Sequence, residues 1–472
     1  MPSRSISENT VRIRRQEQYI AAVIASLGGF TVGVSLGWNS TAGEVFRNYL
    51  DASSLEIGLI GGLLNAGACV GAILTPFFFG RFSRTPKMPA FGAVLAVGWC
   101  LIVFANDKIL LMIGRVICGL PAGVFCVLMP IYIAEIADEK IRGRLLSFFQ
   151  IFINLGVMYV FVAAYMEEKH STVSTYSLAC GMPCVLLIMS TRLSNSPYYY
   201  LSRNDEINAI VSLKWFHGID YDAQRKINEI KRLILMVQPK KLIPTMIKNR
   251  RVLRSFATCL GVVLSQHLSG ANMMIFYALT LFNTIGSGEL TGSEQTLLVG
   301  AVQILASLLA ALLVDVLGRR ILLALSTSLM GLFLILLGWF FGLRDKDPEY
   351  DDIYFWMPPA WIILFFAAFN LGLGPISWSV LGDTLPVEVK VPVASVVVSL
   401  GWLVSLLSAL TFDEMIISLG ATKAMWLCAG ICWLSTLFCA IVVKDTTGKS
   451  LTEVQEEFFD TEPNRTDVQQ ET

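Results

Sequence analysis

Residues 109–133 read ILLMIGRVICGLPAGVFCVLMPIYI, an apolar run in which Arg115 is the only charge. About 20 such residues in a helix cross the hydrocarbon core of a bilayer. Gly119 and Gly123 lie four positions apart, a spacing that lets a second helix approach closely. A charge inside a span is costly unless it faces other helices and finds a partner. The stretch therefore predicts a buried membrane helix within a multi-helix protein.

Comparable apolar runs recur along the whole chain. Its 472 residues are 54% hydrophobic and only 15% charged, whereas a soluble domain is nearer a quarter charged. We therefore expect an all-α integral membrane protein with twelve transmembrane helices in two six-helix halves. The expected spans are 19–38, 57–79, 89–105, 109–133, 145–166 and 174–192, followed by 256–286, 295–317, 320–342, 359–381, 393–411 and 422–443.

The segments outside the spans complete the expected organisation. A tail (1–18) precedes the N-terminal half (19–194), a linker (195–252) joins it to the C-terminal half (253–443), and a second tail follows (444–472). Basic residues concentrate in alternate loops, which places both termini and the linker in the cytoplasm. The linker is too polar to span, and helical spacing of its apolar residues predicts short amphipathic helices. Those residues are Ile207, Ile210, Val211, Ile227, Ile230, Leu233 and Ile234.

Composition also bears on the other classes of function. The 36 basic and 36 acidic residues balance, and no basic block indicates a nucleic-acid surface. The 10 cysteines lie mostly in apolar runs and, with only 3 histidines, suggest neither a disulfide framework nor a metal site. No nucleophile, metal cluster or carboxylate pair stands out, which disfavours an enzyme. We expect no cofactor and no obligate protein partner.

The two halves echo each other in their charges. Residues 80–84 follow the second expected span and 315–320 lie at the end of the eighth, and each half has an acid seven residues before a base. Such an acid and base can pair to close one side of the protein in one conformation, although loop topology alone also explains the bases. The charges concerned are Arg84, Glu135 and Arg142 in the first half, and Asp315, Arg319, Arg320, Asp383 and Lys390 in the second.

Five motifs, in order along nearly the whole chain, resemble the sugar porter family of the major facilitator superfamily. They are GRVICGLPAG (114–123), PIYIAEIA (130–137) with Arg142-Gly143, QHLSGAN (266–272), GPISW (374–378) and KDTTGKSL (444–451). The chain looks closest to animal facilitative hexose carriers and trehalose transporter-like proteins. The resemblance implies the major facilitator fold and alternating-access transport of a hexose or trehalose across the plasma membrane, with sugar and lipid as the only partners.

The resemblance also implies a set of sugar contacts within the spans. Neutral amides can donate to and accept from hydroxyls, and an indole can stack on the apolar face of a sugar ring. For any single amide, a structural bond between helices is the alternative. Positions 267 and 370, commonly Gln and Glu in the family, are His and Asn here, which leaves the cargo open. The implied contacts are Gln150, Gln266, His267, Asn272, Gln303, Asn370, Trp378 and Trp402.

Energy coupling is expected to be absent. Proton-coupled members of the family carry an Asp on the first helix, paired with the Arg of the fourth helix, whereas this chain has Asn39 and Arg115. No acid lies deep in any expected span, and a proton relay needs a titratable group there. Uniport is therefore predicted. A proton symporter is the alternative, with His267 as its candidate group because an unperturbed imidazole titrates near 6.5.

Several family positions on the cytoplasmic side are altered. Gly80, Ser83 and Thr85 replace an acid, a glycine and a base of the first repeat, and residues 194–198 lack the usual Glu and Arg. These groups would brace the closed cytoplasmic side. Their loss keeps a further alternative open, a sugar-binding sensor with little transport.

Overall fold

The computed structural model describes residues 3–49, 54–79, 88–167, 173–236, 250–276, 291–347, 356–386 and 389–451, together with 282, 354, 453 and 454. Within this part of the chain, every regular element is a helix. The N-terminal half contains α1 (Ser3–Tyr49), α2 (Ser54–Phe79), α3 (Met88–Val103), α4 (Lys108–Ile136), α5 (Arg142–Glu167) and a sixth segment in which α6 (Val173–Gly181) continues as a 3₁₀ helix (Met182–Arg192).

The linker forms three short helices, as the sequence predicts: α7 (Pro197–Leu201), α8 (Glu206–His217) and α9 (Ala223–Met236). The C-terminal half contains α10 (Arg250–Leu268), α11 (Ala271–Phe276), α12 (Gly292–Leu317), α13 (Arg319–Arg344), α14 (Met357–Leu371), α15 (Leu373–Thr384), α16 (Lys390–Leu419) and α17 (Ala421–Val442).

These helices agree with the expected order of spans. In the described residues, nine segments are long and apolar enough to cross a membrane, with α14 and α15 counted together, and α3 and residues 177–187 are shorter apolar helices. The remaining expected span begins with α10 and α11. Helix α1 differs from the expectation because it starts at Ser3, although its apolar part is confined to Arg15–Ser40.

Close contact between α2 and α4 depends on glycine. A Cβ atom at Gly119 or Gly123 would collide with the backbone carbonyls of Leu64 and Ala68, so the motif permits the approach that the sequence predicts. Arg115 lies buried near this contact. Its guanidinium donates to the carbonyl oxygens of Ser35 (2.8 Å) and Ile60 (3.2 Å) and lies 4.8 Å from the ring centroid of Trp38.

The two halves meet along two helix pairs. Helix α2 packs against α16, and α5 packs against α12. The second and fifth spans of one half thus contact the fifth and second spans of the other, as expected for two related halves. The space between these pairs holds the polar cavity described below.

The linker helices enclose a small core of their own. Helix α8 is attached to the N-terminal half through Gln18, which donates to the Phe216 carbonyl (3.1 Å) and accepts from the Asp138 amide (2.8 Å). We call the end of the bundle that carries these helices the linker side. The core consists of Tyr198, Leu201, Ala209, Leu213, Ala223, Ile227, Ile230 and Leu451.

The expected buried face of α8 is wrong. Ile207 and Val211 are 77% and 59% exposed, whereas Ala209, Leu213 and Phe216 are buried. Ile210, the third apolar residue of the expected face, is partly buried against the linker core. Helix α8 has apolar residues on two sides, and the side with Ala209, Leu213 and Phe216 turns inward. The expected face of α9 is confirmed at Ile227 and Ile230, which are both fully buried.

Candidate functional site

Two interrupted helices shape the centre of the bundle. Helix α10 ends at Leu268 and α11 starts at Ala271, with Gly270 between them at φ = 88°. This left-handed conformation favours glycine. The turn brings Gln266, His267 and Asn272, which belong to two successive helices, to one place. The break between α14 and α15 falls at Gly372, and such discontinuous helices are typical of transporter sites.

A cavity lies between the halves at these breaks. The space open to the centre of a water-sized sphere is about 30 Å³, enough for about two or three water molecules. A sugar therefore requires the cavity to widen. The apolar part of its wall comes from both halves and consists of Val32, Leu36, Ile153, Val157, Ile275 and Phe369, and the remaining lining residues are Cys126, Gln150, Asn154, Gln266, His267, Asn272, Trp378 and Trp402.

Six of the eight predicted sugar contacts line this cavity: Gln150, Gln266, His267, Asn272, Trp378 and Trp402. The other two lie behind its wall. Asn370 is hydrogen-bonded to lining amides, and Gln303 accepts one hydrogen bond through its backbone carbonyl. The structure thus brings the predicted residues together, while their contact with sugar remains a prediction.

One wall of the cavity is a closed set of amides, which we call the amide triad (Gln150, Asn154 and Asn370). Asn154 Nδ2 donates to Asn370 Oδ1 (2.8 Å) and to the Gln303 carbonyl (3.3 Å). Gln150 Nε2 donates to Asn154 Oδ1 (3.1 Å) and Asn370 Oδ1 (3.3 Å), and Gln150 Oε1 accepts from Trp378 Nε1 (2.9 Å). Both amide hydrogens of Gln150 and of Asn154 are therefore in use.

The opposite wall, formed by α10, α11 and α16, contains polar atoms whose hydrogen-bonding capacity is unused within the described residues. Gln266 Oε1 and Trp402 Nε1 are buried and have no hydrogen-bond partner among the described residues. Asn272 Nδ2 lies 2.9 Å from His267 Nδ1, and the His267 ring packs against Trp402 with centroids 5.5 Å apart. A buried acceptor and a buried donor without partners favour a polar ligand that satisfies both.

Sequence reasoning missed Asn154. It lies on α5 four residues after Gln150, so both amides occupy one face of the helix. An asparagine in a membrane span is expensive unless it is hydrogen-bonded. The four-residue spacing of the two amides could therefore have identified Asn154 from the sequence.

The linker side is closed by a buried group of charges, which we call the charge cluster (Arg142, Arg319 and Asp383). Asp383 forms an ion pair with Arg319 and lies 3.9 Å from Arg142 Nε of the other half. Arg319 also donates to Thr446, and Arg142 Nη1 donates to the Lys449 carbonyl (3.0 Å). The motif after α17 thus supplies acceptors to both arginines.

The expected pairing of Asp383 with Lys390 stays a prediction. Lys390 Nζ donates to the Gly382 carbonyl at 2.8 Å, and Asp383 pairs with Arg319 and Arg142 in this state. The seven-residue spacing brings the lysine back to the turn beside the acid, while the arginines that reach Asp383 come from α5 and α13. In the other half, Glu135 accepts from Ser196, within the stretch that lacks the usual family charges.

The other predicted gate residues have separate positions. Asp315 Oδ2 accepts from the backbone amide of Arg144 (3.1 Å), so a carboxylate of α12 caps the N-terminus of α5 across the halves. Its Oδ1 occupies the place that a Cβ at Gly143 would need. Arg320 donates to the Ala440 carbonyl and is exposed. Arg84 lies outside the described residues.

Two related helical halves around a central polar cavity, closed on one side by buried charges, define a secondary transporter. The family model described as "Sugar (and other) transporter" matches residues 16–458. The chain therefore belongs to this family and is a multi-pass membrane protein.

Curated relatives and solved structures agree with this assignment. The chain is 30% identical over 442 residues to the facilitated trehalose transporter Tret1 of Bombyx mori, covering 93% of this chain and 86% of the relative. It is 30% identical over 448 residues to Tret1 of Anopheles gambiae, covering 93% of this chain but 55% of that protein. These relatives are transporters and not enzymes.

The fold matches that of solved transporters. The proton:xylose symporter XylE bound to 6-bromo-6-deoxy-D-glucose aligns with a TM-score of 0.81 at 21% identity, over 94% of this chain and 100% of that one. The inward-open form of XylE from E. coli aligns with a TM-score of 0.69 at 20% identity, over 93% and 99%. The chain has the major facilitator fold.

Proposed function

We propose that the protein is a facilitative carrier of a neutral sugar, a hexose or trehalose, that works by alternating access as a uniporter. The observation that carries this proposal is the chemistry of the cavity wall. Amides, an imidazole and two indoles line it, and the described lining contains no carboxylate, lysine or arginine. Such a wall suits an uncharged, hydroxyl-rich molecule with an apolar face.

The charge cluster supports the alternating-access part of the proposal. It joins the two halves on the linker side, so the described state is closed there. Opening that side requires Asp383 to part from Arg142, which belongs to the other half. The relation to facilitated trehalose transporters supports both the cargo class and the absence of coupling.

A proton symporter is the second candidate, and one observation favours it. His267 lines the cavity and is the only histidine among its described lining residues, and an imidazole is a group that can bind and release a proton. The position where coupled relatives carry an acid is Asn39, which lies beside Gly61 of α2 and cannot titrate. This difference favours uniport.

The test uses purified protein in sealed vesicles. Uptake of labelled D-glucose and labelled trehalose is followed with and without an imposed pH gradient, and protein-free vesicles serve as the control. Saturable uptake that stops at equal concentrations and ignores the gradient is the expected result. Accumulation driven by the gradient would replace uniport by symport, and a His267→Gln variant would then identify the group.

Two other results would change the proposal further. Sugar that protects the protein against heat without any flux would favour the sensor. If the protein neither binds nor transports either sugar, this cargo class is excluded.

We also propose a plasma-membrane location with both termini and the linker in the cytoplasm, supported by the basic loops of the linker side. Accessibility of a tag at each end, measured in intact and permeabilised cells, tests this orientation.

A further inference from the structure

Asn154 holds a central position between the two halves. From α5 of the N-terminal half it reaches the side chain of Asn370 on α14 (2.8 Å) and the carbonyl of Gln303 on α12 (3.3 Å), both in the C-terminal half. It is 2% exposed and also lines the cavity. A single side chain thus links three helices at the point where a sugar would enter.

The same side chain occupies groups that a sugar would need. Asn154 Oδ1 takes one hydrogen of Gln150 Nε2, and Asn154 Nδ2 occupies the carbonyl oxygen of Asn370. The remaining capacity of Asn370 is reduced further, because its Nδ2 donates to the Phe366 carbonyl at 3.0 Å. A hydroxyl that is to accept from Gln150 Nε2 or to donate to Asn370 Oδ1 must therefore compete with the bonds within the amide triad, two of which Asn154 makes.

We propose that Asn154 is a positioning residue that substitutes for sugar hydroxyls in the empty site. It satisfies Gln150 and Asn370 when no sugar is bound, and its bonds to α12 and α14 keep the cavity contracted. This inference rests on the proposed function, since it treats Gln150 and Asn370 as sugar contacts. Sugar first meets the opposite wall, where Gln266 and Trp402 have free polar atoms, and then exchanges with Asn154 at the amide triad.

The exchange predicts a gain of affinity when Asn154 is removed. Asn154→Val deletes the competing donor and acceptor and keeps a side chain of similar size. The dissociation constants of D-glucose and trehalose, measured by calorimetry on the full-length purified protein, should fall by about two- to ten-fold for whichever sugar binds. General damage to the fold would weaken binding, so tightening distinguishes the proposed role from a merely structural one.

Asn65→Val is the matched control. Asn65 is fully buried and also links the halves, because its Nδ2 donates to Ser405 Oγ of α16 at 3.2 Å. It makes no hydrogen bond to the amide triad. Its replacement removes the same chemical group and should not tighten binding. An unchanged or increased dissociation constant for Asn154→Val, or equal tightening by both variants, would overturn the inference.

A second measurement needs no sugar. Cys126 lines the cavity and is fully buried, so its alkylation by N-ethylmaleimide, read by mass spectrometry, reports widening of the cavity. Asn154→Val should react several-fold faster than the parent protein or Asn65→Val. If neither sugar binds the parent protein, the proposed cargo is wrong. The alkylation rate of Cys126 then still tests whether the bonds of Asn154 to α12 and α14 keep the cavity contracted. Equal rates in all three proteins would overturn the inference.

Discussion

The cavity and the charge cluster both join the two halves, but with different chemistry. At the cavity the contacts are neutral, between amides, a backbone carbonyl and an indole. At the linker side they are ionic and buried, between Asp383 and two arginines. A neutral hydrogen bond contributes about 1 kcal/mol net, whereas removing one partner of a buried ion pair costs about 3–5 kcal/mol.

The difference follows from what each region must exchange. Bonds of the cavity are of the same kind and strength as those a sugar offers, so a ligand can replace them one at a time. Water or sugar cannot replace the counter-charge of Asp383 in a buried site. We infer that the charge cluster holds the linker side closed, while the cavity senses the cargo.

The largest expected effect comes from removing the central charge. Asp383→Asn leaves Arg319 and Arg142 buried with a neutral neighbour, which should destabilise the closed linker side by about 3–5 kcal/mol. Sugar exchange in vesicles should then slow strongly, because the state closed on this side is poorly populated. Exchange rates and thermal unfolding of the purified variant measure the two effects.

A double variant distinguishes the cost of leaving a buried charge unpaired from the loss of the ion pair itself. Asp383→Leu combined with Arg319→Met removes both charges of the tightest pair and should recover part of the lost stability, since an apolar pair can replace a buried ion pair. It should not recover transport. Full activity of Asp383→Asn would contradict the assignment of the charge cluster as a closing contact.

The next effect contrasts two glutamines of the cavity. Gln266→Leu removes a carbonyl oxygen that has no partner in the described residues, so stability should stay equal or rise slightly, while KM for sugar rises about ten-fold. Gln150→Leu leaves Trp378 Nε1 and Asn154 Oδ1 without their partners and should destabilise the protein by about 1–3 kcal/mol. Thermal unfolding and uptake kinetics test both variants.

The two glutamines serve as controls for each other. Both changes remove one amide from the same cavity, so a different balance of stability and KM depends on the partners alone. Equal losses of stability would contradict the distinction between a satisfied wall and a wall with free groups.

Much of the fold could be predicted from the sequence because membrane spans are local signals. Apolar runs mark the helices, and the Gly119–Gly123 pair marks a close contact that the structure confirms. The amides of the cavity could be predicted for a similar reason, because a polar side chain in a span must find a partner. Asn154 follows the same rule, and its four-residue spacing from Gln150 could have identified it as a further amide of the cavity.

The partners of charged residues could not be predicted in this way. Asp383 and Lys390 are close in sequence, but the arginines that reach Asp383 lie 64 residues away on α13 and on α5 of the other half. Such contacts depend on how whole helices pack. The face of α8 was wrong for a related reason, because apolar residues on two sides leave the choice to neighbouring helices.

The smallest expected effect concerns the protonation of a second buried group on the linker side, His217. His217 ends α8, and its ring lies 4.6 Å from that of Tyr221. Burial lowers the pKa of His217 below its ordinary value of 6.5, and this effect outweighs the nearby Asp138 carboxylate, which acts in the opposite direction. In contrast to the arginines of the charge cluster, this side chain is in a place where burial favours the neutral form.

The sign of the pH dependence follows from that lowered pKa. Well above pH 6.5 the imidazole is neutral in both the folded and the unfolded chain, and the packing of α8 keeps its full stability. As the pH falls below 6.5, the unfolded chain binds the proton first, so the folded state loses stability. The thermal midpoint of the parent protein should therefore drop between about pH 7.5 and 5.5 by more than that of His217→Gln, because glutamine does not titrate. An equal or smaller drop in the parent protein would mean that His217 accepts its proton without cost, and the linker side would then tolerate charge beyond the ion pairs of the cluster.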